Sequence, residues 1–135
     1  MQIDITNRPG NSAARVSLEA GESITAEGGA MIAMSGNVSV ETTTQKRDSG
    51  SILGALKRMV TGESFFLNHF TPSGEGGEVY FGTVMAGDMM EYQLDGPGLL
   101  GQGGSYVASA PSVNMDIQWQ GFGKAFFSGE SMFLI

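Results

Sequence analysis

Apolar and polar residues alternate over short stretches of this chain. Ile3 and Ile5, Val16 and Leu18, Val38 and Val40, and Val113, Met115 and Ile117 each skip one position. A period of two belongs to a strand that buries one face. Turn signals separate the stretches: Pro9-Gly10-Asn11, Ala20-Gly21, Gly28-Gly29, Gly36-Asn37, Gly74 to Gly77, Gly96-Pro97-Gly98 and Gly103-Gly104. Short strands so spaced, with no helices between most of them, predict an all-β fold, an antiparallel sandwich or barrel rather than a parallel α/β sheet.

One segment breaks the period. Between Ser51 and Val60 the apolar residues are Ile52, Leu53, Leu56, Met59 and Val60. At helical spacing they cover an arc of about 120°, so an amphipathic helix is expected over 51–60. Asp48, Ser49 or Ser51 suits its start and Gly62 its end. The expected place for this helix is across one mouth or face of the β-structure. A membrane surface, with Lys57 and Arg58 toward anionic head groups, is the alternative.

The sequence also repeats itself. Residues 27–42, EGGAMIAMSGNVSVET, align with 102–117, QGGSYVASAPSVNMDI, and GESFFL at 62–67 aligns with GESMFL at 129–134. Self-similarity of this kind predicts two copies of one β-unit, about 1–75 and 86–135, packed as similar sheets in a single domain. The helix is then an insertion into the first copy.

Three stretches carry a resemblance: GGAMIAMSGNVSVET, GALKRMVTGESFFLNHF at 54–70, and Gly103-Gly104-Ser105-Tyr106-Val107-Ala108. Over about residues 13 to 135 the chain resembles the family named for the altered-inheritance-of-mitochondria protein of fungi, which has many bacterial members. The resemblance implies a double-layered β-sandwich like that of the tryptophan RNA-binding attenuation protein. It implies no catalytic residues, and in fungi an association with mitochondrial inner-membrane organisation. Family members usually continue further, whereas this chain stops at Phe133-Leu134-Ile135, within an expected strand. Either the chain is a fragment or a neighbouring molecule supplies the missing strands.

Composition narrows the function classes. Among 135 residues, 21 glycines fit a turn-rich β fold, and the absence of cysteine excludes disulfides, thiol catalysis and cysteine-held zinc. The opening Met1-Gln2-Ile3-Asp4-Ile5-Thr6 lacks a signal peptide's basic start and apolar run, so a cytoplasmic protein is expected. The net charge of −7 disfavours nucleic acid, which attracts basic surfaces. Lys46, Arg47, Lys57 and Arg58 against Asp48 nevertheless give one segment +3, leaving −10 for the rest. Segregated charge of that kind steers a partner.

Catalytic patterns are thin. Gly96-x-Gly98-x-x-Gly101 has dinucleotide-fingerprint spacing, but no helix pattern follows it and it reads as a turn. His69, the single imidazole, sits in a Phe-rich strand with no Gly-x-Ser-x-Gly elbow, and a structural or surface role is expected. Glu63 and Glu130 recur in the two Gly-Glu-Ser segments and read as turn residues. Glu41 and Asp116 correspond across the repeat and read as strand-end charges rather than metal ligands. Met31, Met34, Met85, Met89, Met90 and Met115 are expected as core filler, as are Phe65, Phe66, Phe70, Tyr80 and Phe81.

The expectation is therefore a non-catalytic scaffold or interaction module without cofactor or metal, homo-oligomeric, with a protein or peripheral membrane partner. Its alternative is a small-ligand or peptide module using the trough between the sheets. The candidate interaction residues are Lys46, Arg47, Lys57, Arg58, Trp119, Phe133, Leu134 and Ile135. The last three are chosen because an apolar final strand without a return partner would present an unpaired edge.

Overall fold

The computed structural model describes residues 1–44, 66–102, 104–118 and 132–134. The expected helix at 51–60, together with Lys46, Arg47, Lys57, Arg58, Trp119 and Ile135, lies outside them. The described residues are all-β, with no helix. Eleven strands follow the chain: β1 Gln2–Thr6, β2 Ala13–Leu18, β3 Ile24–Glu27, β4 Met31–Met34, β5 Val38–Thr44, β6 Phe66–Pro72, β7 Gly77–Gly82, β8 Leu100–Gln102, β9 Ala108–Ser109, β10 Asp116–Gln118 and β11 Met132–Leu134.

Two four-stranded sheets, ordered β1-β2-β7-β4 and β5-β6-β3-β9, supply the core, and a three-stranded sheet runs β10-β11-β8. All the ladders between these strands are antiparallel. Alternation explains the packing. Ala14, Val16 and Leu18 of β2 and Val79 and Phe81 of β7 point one way from the first sheet. Ile24 and Ala26 of β3, Val38 of β5 and Phe70 of β6 meet them from the second. Phe70 and Phe81, both fully buried, touch across the interface edge to face, centroids 5.4 Å apart at 77°.

Strand order recurs between the second and third sheets. The row Thr25–His69–Glu41 crosses β3, β6 and β5, and the row Leu100–Leu134–Asp116 crosses β8, β11 and β10 in the same order. Leu134 thus stands where His69 stands, two positions from the Leu67 that the Gly-Glu-Ser alignment assigns to it. The slip is even, so it preserves which face each residue occupies.

Three expectations are corrected. The final strand is no free edge: β11, with Phe133 and Leu134, lies between β10 and β8 and pairs with both. A pattern read on one strand does not reveal which strands flank it. The methionines are mostly not core: Met31, Met34, Met85 and Met90 are exposed, while Met89 and Met115 are partly buried. Of the aromatic cluster, Phe70 and Phe81 are buried, but Phe66 is exposed. The glycine run at 96–101 leads, as expected, into β-structure, with Gly101 inside β8.

Candidate functional site

β4 closes one side of the first sheet, with β7 as its neighbour, and all four of its residues are exposed. Met31 pairs with Phe81, Ala33 with Tyr80 and Met34 with Val79, so Ile32 is a bulged residue without a partner. Bulges re-aim side chains and bend edge strands. Here Ile32 is turned over Gly82, where a Cβ would come 2.8 Å from Ile32 Cδ1. Met31 and Met34 share the face of the core residues Phe81 and Val79 yet remain 38% exposed each. The Ser35–Val38 turn, closed by a 3.0 Å bond from Val38 N to Ser35 O, hands the chain to β5 at the edge of the facing sheet. There Val40, which pairs with Phe70, is also exposed. The apolar interior therefore runs out to the surface along this flank.

A cleft of about 350 Å³ opens beside it, lined by Asn7, Asn11, Ser12, Ala13, Ile32, Gly82, Thr83, Val84 and Ala86. Ala13 and Gly82 alternate with the core residues Ala14 and Phe81, so the cleft lies on the outer side of the first sheet. One wall is the turn after β1, where Asn7 has φ 57° and the Arg8–Pro9 peptide is cis. The other is the segment after β7, pinned by Asp88. Arg8 donates two hydrogen bonds of 2.9 Å to its carboxylate, the Ser12 hydroxyl one of 2.7 Å and Met89 N one of 2.8 Å. Ser12 N also donates to Gly87 O at 3.1 Å. These donors hold the Asp88 carboxyl well below the usual carboxylate range, the Arg8 hydrogen bonds contributing most. What the pinned segment presents to solvent is apolar: Val84 is 77% exposed, Met85 75% and, across the cleft, Ile32 61%. Exposed apolar side chains grouped in this way mark interaction sites more often than singly scattered ones do.

Several titratable groups elsewhere among the described residues are engaged in structure. His69 is held between two hydroxyls, Thr25 Oγ1 at 2.9 Å from Nδ1 and Thr43 Oγ1 at 2.8 Å from Nε2, which ties β3 and β5 to β6. The Tyr106 hydroxyl donates to the Thr25 carbonyl at 3.1 Å and pairs with Ser109 at 2.9 Å, holding β9 to the same face. Burial pushes the Tyr106 hydroxyl and the nearby Glu27 carboxyl up from their ordinary values. Arg15 pairs with Glu78, which also accepts the Tyr80 hydroxyl at 3.0 Å. Among the described residues no three His, Asp or Glu side chains converge as metal ligands.

Residues 3–135 match the family described as mitochondrial biogenesis AIM24. The chain belongs to that family. A Streptococcus pyogenes protein whose crystal structure was determined as a structural-genomics target is similar in fold, with a TM-score of 0.71 at 21% identity. The match covers 98% of this chain and 58% of that one, so this chain spans little more than half of its neighbour's length. At that identity the likeness speaks for the fold alone. None of the curated proteins matches the chain.

Within this AIM24-family chain the structure brings only part of the expected interaction set into view. Phe133 and Leu134 belong to a strand paired on both sides. Glu41 is exposed on β5, and among the described residues it joins no metal cluster. The β4 flank and the cleft were missed. Ala30-Met31-Ile32-Ala33-Met34 carries no alternation and reads as interior, although its lack of any charge is also what an exposed docking strand shows. Among the described residues no helix is long and apolar enough to cross a membrane.

Proposed function

We propose that this AIM24-family chain is a non-catalytic interaction module, a scaffold part that engages a protein partner through the β4 flank. The supporting observation is the uncharged surface of Met31, Ile32, Met34, Val84 and Met85, of which β4 is held by its ladder with β7 and the Val84–Met85 segment by the Asp88 clamp. The polar chemistry of the described residues supports it too, because His69, Tyr106, Glu78 and Asp88 are engaged in hydrogen bonds that join strands or fix loops. The family's description, mitochondrial biogenesis, suits an assembly component. A membrane-organising version of the role would add lipid contact through Lys46, Arg47, Lys57 and Arg58. Homo-oligomerisation belongs to the same reading. RNA, which the expected likeness to the tryptophan RNA-binding attenuation protein would suggest, is disfavoured by the charge of −7.

A photo-crosslinking residue placed at Val84, in the cells that make the protein, tests this. Discrete protein adducts that vanish with Ile32→Lys, and are absent when the crosslinker stands at Asp4, support the reading. No protein adduct at Val84 overturns it. The second reading, a small-ligand or peptide module, draws on the cleft, whose lining combines Asn7 and Asn11 with Ile32, Val84 and Ala86. It predicts a low-mass species held at one per chain in native mass spectrometry, lost on Gly82→Val.

A further inference from the structure

Resting on that reading, we propose that the partner at the β4 flank is a second copy of this chain, related by a twofold axis passing beside Ile32 and Ala33. Three observations select this occupant.

Charge comes first. Copies of a chain at −7 repel one another, so a contact between them forms where the surface carries no charge. The other long edge strands among the described residues are marked by acids, β1 by Asp4 and β5 by Glu41, while β8 and β10 have three residues each, with Asp116 in β10, and β9 has two. β4 has neither charge nor proline, and among the usual means of blunting an edge it carries only the bulge at Ile32.

Self-complementarity follows. A twofold contact uses the same patch on both partners, so the patch must fit itself. Met31-Ile32-Ala33-Met34 laid antiparallel on its own copy puts Met31 against the second copy's Met34, and the large Ile32 against the small Ala33. The bulge at Ile32 interrupts the regular ladder, so the contact is made chiefly by side chains rather than by an uninterrupted eight-stranded sheet.

Area agrees. The exposed parts of Met31, Ile32, Met34, Val84 and Met85 amount to roughly 500 Å² per copy and ~1,000 Å² across a pair, the lower limit of a specific interface. A reversible dimer follows, and not a permanent one.

Sedimentation velocity of the 135-residue chain between 1 and 100 μM tests it, both figures on the order of the range in which such interfaces dissociate. The expected result is a monomer–dimer equilibrium that Ile32→Lys weakens at least ~tenfold, because each substitution counts twice across the axis. Ile32 is exposed, and an unchanged thermal melt separates this loss from unfolding. The decisive variant pair uses the antiparallel fit: Met31→Glu alone weakens the dimer, and Met31→Glu with Met34→Lys restores it, since opposite charges then face each other. A wild-type monomer at the highest concentration overturns the proposal, as does a dimer indifferent to Ile32→Lys. A monomer that still gives protein adducts from Val84 removes the second copy and leaves the interaction module standing, whereas a monomer without adducts removes both.

Discussion

Arg8 and Asp88, 80 residues apart, meet in two parallel hydrogen bonds of 2.9 Å, and this pair fixes the apolar segment after β7 against the turn after β1. Two-bonded arginine–carboxylate pairs hold direction as well as charge. Ser12 and Met89 N complete the shell around the same carboxylate.

The Asp88 clamp has a pH signature. Its donors lower the carboxyl below its ordinary value of 3.8, so folding favours the ionised form. The stabilisation is present above that value and is lost as pH falls through the still lower folded one. Asp88→Asn is therefore expected to lower the melting temperature at pH 7. The gap from wild type should narrow as pH drops below about 3.8. Melting curves across that range check it, and a gap independent of pH would count against the clamp.

Glu27 is expected to behave with the opposite sign. Burial raises its carboxyl above 4.5, and among the described residues no cation offsets the cost of ionising it. Its stabilising protonated form is fully present below 4.5 and is lost as pH rises through the higher folded value. Glu27→Gln should thus raise the melting temperature slightly at pH 7 and leave it nearly unchanged in acid. A lower melting temperature at pH 7 would mean that the carboxylate has a favourable partner.

The contact of Phe70 with Phe81 joins the two four-stranded sheets at their centre. Phe70→Ala removes a fully buried ring and should cost about 3–5 kcal/mol, and Phe81→Ala a similar amount. The double variant should cost less than the sum, since the edge-to-face pair couples the rings by about 0.5–1.5 kcal/mol. Denaturant midpoints of the four proteins in the cycle measure the coupling. Strict additivity would place the rings in separate cores.

What the sequence made legible follows from locality. Val16 and Leu18, or Val38 and Val40, alternate because their strands lie with one face on the core, and that constraint acts between neighbours in the chain. Gly28-Gly29 marks the turn from β3 to β4 for a similar local reason, Gly29 having φ +102°. Strand order is different. That β11 lies between β8 and β10 depends on partners tens of residues away, and nothing in Met132-Phe133-Leu134 encodes it. The candidate site was illegible in the same way. Arg8 and Asp88 reveal themselves only once the chain brings them together, and the run Met31 to Met34 has the composition of an interior strand while standing at an edge.

Two glycines in one turn give the last prediction, because they share a sign of φ and differ in surroundings. Gly74 has φ +85° and Gly76 φ +103°, conformations that side chains with a Cβ adopt at a cost. Around Gly74 nothing lies within 4 Å of an added Cβ, whereas at Gly76 it would come 2.5 Å from the Leu18 carbonyl oxygen. That oxygen belongs to the end of β2, and Leu18 pairs with Gly77 at the start of β7, so the ladder fixes it in place. The Gly76 carbonyl is itself held by a 2.7 Å hydrogen bond from Asn37 Nδ2, which ties the turn to the start of β5. Gly74→Ala should therefore cost only the backbone strain, about 1–2 kcal/mol. Gly76→Ala adds a steric clash with backbone that cannot move without opening the β2–β7 ladder, and should cost about 3 kcal/mol or more. Gly74→Asn should be milder than Gly74→Ala, since asparagine tolerates positive φ, and Gly76→Asn should gain no such relief. Chemical denaturation of the four variants ranks them, and equal costs at the two positions would contradict the close approach of β2 to this turn.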